Sequence, residues 1–554
     1  MKKNNYIVLQ FTIIIFVLSN LTSGQSPRVT YTDITREAGI DFKYNFGDLT
    51  YQNILESSGS GVTILDFDND GYMDLYMLNG TYLEGISDST GIIFKDTHNQ
   101  LYRNNADGTF TDVTAEAGIG NCEWSMAAGA FDYDGDDDTD IYLLNYGPNV
   151  FYLNNGNGTF QDVTDLLSLA GPEKLNGYTK WSVDVSFWDY DLNGLVDMMV
   201  GNFLAFDPSY ISPTNPDIMP HPSEYKGQAS MLYHQNKDGT FSEVTKSLNL
   251  YYPDSKCMGL TLFDYDDDGD LDLFQGNDHQ MNFLFRNDGH LKFTEVGKIS
   301  GVAVNDQGIP TGSMHGSIGD IDGDGFIDLL VVDLRYGALY RNMGNGLFTD
   351  ITESSGVKAG FSGKGAWAAV LFDFDNDGDL DIFSTNGLAE ELVDQPPLLM
   401  ENDGTGHFTD IGPAASPYFK ELRSGRGAAV WDFDNDGDLD IIVSHIDLRA
   451  TPALLRNDGG NINHWLGLKL IGNKGPASAV GAKVIVKSGS LEQVLVNQWA
   501  TSYLSYNDPR LHVGLGKHTL IDQLRIYWPQ GDMEVYEHLK PDRYLTIIQG
   551  SGIH

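Results

Sequence analysis

Seven times between Asp66 and Asp440 the chain sets carboxylates at alternate positions ahead of a tight turn, in the pattern D-x-D-x-D-G-x-x-D. The side chains concerned are Asp66, Asp68, Asp70 and Asp74; Asp132, Asp134, Asp136 and Asp140; Asp189, Asp191, Asn193 and Asp197; Asp264, Asp266, Asp268 and Asp272; Asp320, Asp322, Asp324 and Asp328; Asp373, Asp375, Asp377 and Asp381; and Asp432, Asp434, Asp436 and Asp440. In the second loop Asp137 stands where the others have glycine, and the third loop has only three carboxylates. A sharp turn at the glycine brings positions 1, 3 and 5 toward one point, a carbonyl at position 7 adds an oxygen, and the last aspartate closes the shell. Hard oxygen donors in this number select calcium, and no cysteine or histidine lies within the loops. An EF-hand would close on glutamate at position 12 between two helices, and neither feature is present. Merely polar turns are a poor alternative: 33 of the 78 acidic residues fall within the 63 loop positions, and such crowding is destabilising unless a cation neutralises it. Up to seven calcium ions are therefore expected, and their fourteen positive charges would bring the formal net charge from -44 to about -30.

These loops recur inside a larger period. Each lies between two strand-like runs, as with Gly427 to Trp431 before the last loop and Leu439 to Ser444 after it. A third string, of the type Leu101-Tyr-Arg-Asn104, leads through five residues containing glycine into a fourth, of the type Phe110-Thr-Asp-Val-Thr114, which is a hairpin signal. Copies of the fourth string begin at Tyr31, Phe110, Phe160, Phe241, Phe293, Phe348 and Phe408. Seven four-stranded units of about 61 residues, without helical periodicity, predict an all-β chain folded over residues 31–459 as a seven-bladed β-propeller, in which radial closure leaves few free sheet edges. An open β-solenoid has shorter coils. Because Tyr31 to Thr35 precedes every other string, while Leu454 to Asn457 has no fourth string after it, the two are expected to pair, the N-terminal strand closing the last blade. Five residues beyond each loop stand Asn79, Asn145, Asn202, Asn277, Asp333, Asn386 and His445, a position read as a turn cap. Residues 461–550 change character. Alternating runs at Gly481 to Val486, Ser502 to Ser505, Arg510 to Gly516 and Leu524 to Pro529 predict a small antiparallel β-domain, in which His512 reads as structural.

Composition narrows the function classes. With 78 acidic against 34 basic side chains, the surface repels phosphate backbones and anionic headgroups, which argues against nucleic-acid and peripheral-membrane roles. Two cysteines, Cys122 and Cys257, make neither a disulfide framework nor a four-thiolate zinc site. Lys2 and Lys3, a largely apolar run from Tyr6 to Leu18 and the small residues Thr22 to Gly24 predict a signal peptide over residues 1–24. The run is too short to span a bilayer and no later segment is apolar enough, so a secreted protein, extracellular, periplasmic or at the cell surface, is expected.

The units resemble the FG-GAP or VCBS repeats of integrin α-like propellers, and the strings after residue 461 resemble the ASPIC/UnbV domain that follows such propellers in the cartilage acidic protein family and its bacterial secreted relatives. The resemblance implies an extracellular calcium-binding protein with its loops opposite the ligand-binding face, and it supplies no catalytic residue to carry over. The cysteine-containing EGF-like module of animal members is missing, so their partners do not transfer. Propellers of this kind serve as adhesion modules, lectins, polysaccharide lyases and sugar dehydratases.

On that placement the residues ahead of the first strands face the ligand. Lys180, Trp181, Lys256, His315, Lys364, Trp367, Arg423 and Arg426 are the candidates, the cations suiting carboxylate or sulfate and the tryptophans a sugar face. Long connections from Gly80 to Gln100 and from Phe203 to Ser230 share that face. The expected function is a binding or adhesion module for an extracellular glycan or protein. A polysaccharide lyase or sugar dehydratase using His315, Lys180 or Lys364, and a structural matrix protein without a discrete site, are the alternatives. No nucleophile with a base at recognisable spacing, phosphate loop or zinc motif is found, and no catalytic residue is assigned.

Overall fold

Each Phe-Thr-Asp-Val-Thr string forms a three-residue strand whose polar side chains fix the turn at its end. In Phe110–Asp112 the Asp112 carboxylate accepts the Thr114 N–H at 2.9 Å and the Thr114 hydroxyl at 2.5 Å. That hydroxyl oxygen in turn accepts the N–H of Leu101, at 2.8 Å, from the neighbouring strand. The same three contacts recur at Asp33, Thr35 and Leu454, and at Asp350, Thr352 and Leu339. The string is thus a strand end and a turn clamp in one. Single helical turns such as Thr114–Ala117 come after several copies, a feature the strand periodicity did not announce.

The structure, a computed structural model, describes residues 29–554 apart from 216–218, 290, 334–335, 390–391, 447–450, 476–478, 499–501 and 530. The signal peptide expected over residues 1–24 lies outside the described residues. Among the described residues the chain is all-β, built from small antiparallel sheets. Sheet 1 holds Val62–Leu65, Asp74–Met77, Gln100–Asn104 and Phe110–Asp112 in sequence order. Sheets 2 to 6 repeat that order, with first strands Ser125–Phe131, Ser182–Trp188, Cys257–Phe263, Gly316–Gly319 and Ala366–Phe372. Sheet 7 takes Gly425–Trp431, Asp440–His445 and Ala453–Asn457 from late in the chain and Tyr31–Asp33 from its start, with Tyr31 opposite Asn457. The first strand of each sheet lies against that of the next, and Gly425–Trp431 lies against Val62–Leu65.

The asparagine ending the third strand ties sheets together in five of the seven. Asn104 Nδ2 donates to the carbonyl of Met73 at 3.1 Å and to that of Phe433, in the acidic loop of sheet 7, at 2.7 Å. Asn154 reaches Phe67, Asn342 reaches Tyr265, Asn402 reaches Ile321 and Asn457 reaches Phe374 at 2.8 to 2.9 Å. Each buried amide satisfies a loop carbonyl that faces no strand of its own. In at least four of the seven units the residue five beyond the loop holds the connection after it: Asn145, Asn202, Asn277 and Asn386 donate to the carbonyls of Pro148, Ala229, Met281 and Pro396.

Beyond His464 two further four-stranded sheets enclose an apolar core that includes Leu466, Val484, Val513, Leu524 and Ile526. One pair, His464–Ile471 with Arg543–Ile548, is parallel, where alternation alone suggested an antiparallel domain. Ser502 to Ser505, expected as a strand of that domain, belongs to neither sheet. No helix among the described residues is long and apolar enough to cross a membrane.

Candidate metal centres and a segment buried between the sheets

Backbone conformation builds the acidic loops. Gly71, Gly194, Gly269, Gly325, Gly378 and Gly437 at the sixth position all have φ between 87° and 104°, a region that favours glycine. Asp137 takes the same region at φ 69°, and in that loop Asp132 accepts the N–H groups of Gly135 and Asp137 at 2.7 and 3.2 Å. With the chain turned this way the first carboxylate is held by backbone. Asp66 accepts the N–H groups of Asp70 and Gly71 at 3.1 and 3.2 Å, and Asp264, Asp320, Asp373 and Asp432 are held alike. The last aspartate is buried and held from two sides: Asp74 accepts the N–H of Phe67 at 3.1 Å and of Asn104 at 2.8 Å.

The carboxylate at the third position is different. One buried oxygen each of Asp68, Asp191, Asp266, Asp322 and Asp434 has no hydrogen-bond donor. A buried oxygen left bare in the same position of five loops is suited to a cation. Carboxylate oxygens of Asp66, Asp68 and Asp70, of Asp132, Asp134 and Asp136, of Asp264, Asp266 and Asp272, and of Asp320, Asp322 and Asp328 lie within 4.8 Å of one another in each set. Burial pushes the carboxyls of Asp74, Asp140, Asp197 and Asp328 up to about 8, with neighbouring aspartates adding to the rise in each case. Asp272, Asp381 and Asp440 are driven up by the same burial. Such groups must either take up protons or share a cation, and an all-oxygen donor set of this size fits calcium.

The C-terminal region sits on these loops. Tyr544 Oη donates to Asp432 Oδ2 at 2.6 Å, Arg510 to the Asn435 side chain at 2.7 Å, and Lys483 pairs with Asp267 at 2.6 Å. His512 is structural here, its Nε2 2.6 Å from Asn376 Oδ1 and its ring stacked on Trp465. From this base Ser502 to Tyr506 runs between the first strands. Tyr506 exchanges backbone bonds with Val62 and Ile64, Asn507 Oδ1 accepts the N–H of Val430, and the Tyr506 hydroxyl donates to the Val185 carbonyl. Side chains on Gly61 and Gly427 would strike the Leu504 carbonyl and the Ser505 hydroxyl, at 2.4 and 2.7 Å. The segment is buried throughout and touches sheets 1, 3, 6 and 7.

Six of the eight candidates for a ligand rim point into the protein. Lys180, Trp181, Lys256, His315, Trp367 and Arg426 are buried, while Lys364 and Arg423 are half-buried. Lys180 donates to Asn149 and Ser182 at 2.6 and 3.0 Å, and burial brings its ammonium down to about 7. Lys256 donates to the Pro222 carbonyl at 2.7 Å, and Arg423 pairs with Glu421. Burial draws His315 down to about 4, with Asp184 3.8 Å away. Only Trp367 and Arg426 meet directly, the guanidinium 3.9 Å from the indole centroid, Tyr503 packing on the indole and Ser57 accepting from Arg426 Nε at 2.8 Å. The six buried side chains form no open cationic rim, and Trp367 packs instead on Tyr503 of the Ser502 to Tyr506 segment, because period-two alternation cannot say whether a first-strand residue meets solvent or another sheet. Arg426→Ala is accordingly expected to lower unfolding free energy by about 2–4 kcal/mol in a denaturant titration, through lost packing and cation–π contact.

One further residue beside the loops has no counterpart among the sequence-predicted ligands. His234, in the third strand of sheet 3, places Nδ1 2.9 Å from Asp197 Oδ1 and 4.0 Å from Asp191 Oδ2. Its signal was present: the corresponding position is arginine at 103, 286, 341 and 456.

Comparison with known proteins finds likeness along most of the chain. The FG-GAP-like repeat model matches residues 90–143, 132–200, 224–275, 264–331 and 320–384, and the ASPIC and UnbV model matches 472–554. Cartilage acidic protein 1 of Homo sapiens is 24% identical over 497 residues, covering 86% of this chain and 61% of its own length. That of Xenopus tropicalis is 30% identical over 283 residues, 47% of this chain and 40% of its own. The chain thus spans about three fifths or less of these relatives. Among solved structures, an Agrocybe aegerita lectin with specific recognition of non-reducing terminal N-acetylglucosamine aligns over 73% of this chain and 96% of its own at 16% identity and a TM-score of 0.39. A rhamnogalacturonan lyase aligns over 77% and 75% at 13% identity and 0.35. The chain is a protein of FG-GAP-like repeats with a C-terminal ASPIC and UnbV domain, related to cartilage acidic protein 1 along most of its length.

Proposed function

We propose that the protein is a secreted, calcium-organised binding module whose seven sheets are the blades of a closed β-propeller. The observation that carries the calcium reading is the bare buried oxygen at the third position of five loops. Closure is supported by the pairing of Tyr31–Asp33 with sheet 7, by the contact of the first strands of sheets 7 and 1, and by the bond from Asn104 to Phe433. Calcium fixes the loops at one end, and the end away from them carries the variable connections. There Ile92 and Ile211 are exposed within the two long connections, a surface suited to a glycan or protein partner.

Calorimetric titration of calcium into the chelated protein tests the metal reading. Saturable binding that loses one equivalent in Asp322→Ala supports it, and a flat titration overturns it. Closure has its own test. Deleting residues 25–40 removes the outer strand of sheet 7 with buried Tyr31, Ile40 and their neighbours, and should lower the melting temperature far more than trimming a free terminus. A deletion protein that melts like its parent would refute closure.

A further inference from the structure

The third acidic loop departs from the other six in three ways, and these converge on a carboxylate oxygen left bare as in four other loops. Its fifth position is Asn193, so it holds three carboxylates. Leu192 at the fourth position stands in the left-handed region at φ 57°, where the other loops have glycine, asparagine or aspartate. One buried oxygen of Asp191 has no donor. Above these groups stands an imidazole in place of a guanidinium. In sheet 5 Arg341 reaches down to Asp322 and Asp324 at 2.6 and 3.0 Å, donating to carboxylates and offering no lone pair. In sheet 3 His234 reaches the same place with Nδ1 beside Asp197 and Asp191, which can serve as a ligand atom.

We propose that His234, Asp191 and Asp197 form a site for a divalent first-row transition ion, of which Zn2+ is the probe, distinct in chemistry from the all-oxygen loops. The inference rests on the reading of the acidic loops as cation sites and refines it for one of them. Nδ1 lies 2.9 Å from Asp197 Oδ1 and 4.0 Å from Asp191 Oδ2, separations within the roughly 4.4 Å that two bonds of about 2.0–2.2 Å to one ion can reach. Replacing a carboxylate by a neutral amide and adding a nitrogen donor lowers the preference for calcium and raises that for ions that take imidazole. The surroundings hold the ligands in place. The backbone N–H of Gln235 donates to Asp197 at 2.9 Å, while the Tyr190 hydroxyl, 3.3 Å from His234 Nδ1, must turn away for that nitrogen to bind an ion. His234 is about a quarter exposed, and Asp189 and Asp191 line a cavity of about 780 Å3 between the loops and the C-terminal region, which gives an ion a way in.

The test is titration of Zn2+ into the intact protein held in millimolar calcium, in the parent, in His234→Arg, which installs the residue found in four other sheets, and in His407→Ala, which removes an exposed histidine elsewhere. One equivalent of Zn2+ is expected in the parent and in His407→Ala. His234→Arg should bind it about a hundredfold more weakly or not at all, at least the upper end of what outer-shell losses cost, with its calcium-dependent melt retained. Substituted Co2+ should give a nitrogen-ligated absorption spectrum that the arginine variant lacks. Equal Zn2+ affinity in parent and His234→Arg, or no Zn2+ bound beside calcium, leaves only a histidine–aspartate hydrogen bond at this position and overturns the proposal. The general reading fails separately, by a flat calcium titration with the Zn2+ equivalent intact.

Discussion

Removal of divalent cations with EDTA is expected to lower the melting temperature by on the order of 10–20 °C, and excess calcium to restore it. The cause is the burial of carboxylates that have backbone partners but no counter-charge, from Asp74 in the first loop to Asp440 in the last. An ion that binds the folded loops and not the unfolded chain stabilises by RT ln(1 + [L]/Kd), so seven sites each at about tenfold Kd contribute about 10 kcal/mol together. About 1 kcal/mol moves the midpoint of a region this large by roughly 1–2 °C, extrapolating from smaller domains. Circular dichroism melts, with metal content followed by mass spectrometry, decide the matter. A midpoint indifferent to chelation in a preparation free of metal removes calcium from the account.

The second large effect belongs to the segment inserted between the first strands. Tyr506→Ala is expected to cost about 3–5 kcal/mol, because it empties a fully buried aromatic volume between the first strands of sheets 1 and 3 and abolishes the hydroxyl bond to Val185. Tyr506→Phe keeps the volume and should cost only about 1 kcal/mol, the net worth of that hydrogen bond. The pair therefore separates packing from polarity. The same insertion predicts that the C-terminal domain and the repeats unfold in one transition, since Tyr506 extends the edge of Val62–Leu65 while Tyr544 and Arg510 hold the loop of Asp432. Calorimetry should show a single peak that shifts as a whole in Tyr506→Ala. Two independent peaks, or an alanine variant as stable as the parent, would mean that the insertion is not a structural pin.

The sequence by itself determined what is local or repeated. The acidic loops are legible because the glycine and the alternating aspartates are the turn and its side chains, nine residues that carry their own geometry. The strand order in each sheet is legible because short linkers such as Asn105 to Thr109 permit only a hairpin, and the pairing of Tyr31 with Asn457 comes from counting strings that lack a partner. The tertiary structure decided what depends on which sheet lies beside which. Alternation along Ala366–Phe372 or Gly425–Trp431 marks two faces without saying that one abuts Tyr503, so Trp367 and Arg426 read as a rim when they are core. Ser502 to Ser505 has the spacing of a strand in its own domain, yet its partners lie some 440 residues earlier in the chain, at Val62 and Ile64, and no local pattern encodes a partner at that distance. His234 stands 37 residues after Asp197, on a strand whose register alone brings Nδ1 to the loop. Local spacing fixes backbone turns and side-chain periodicity, whereas burial and cross-sheet contact arise from the packing of distant segments.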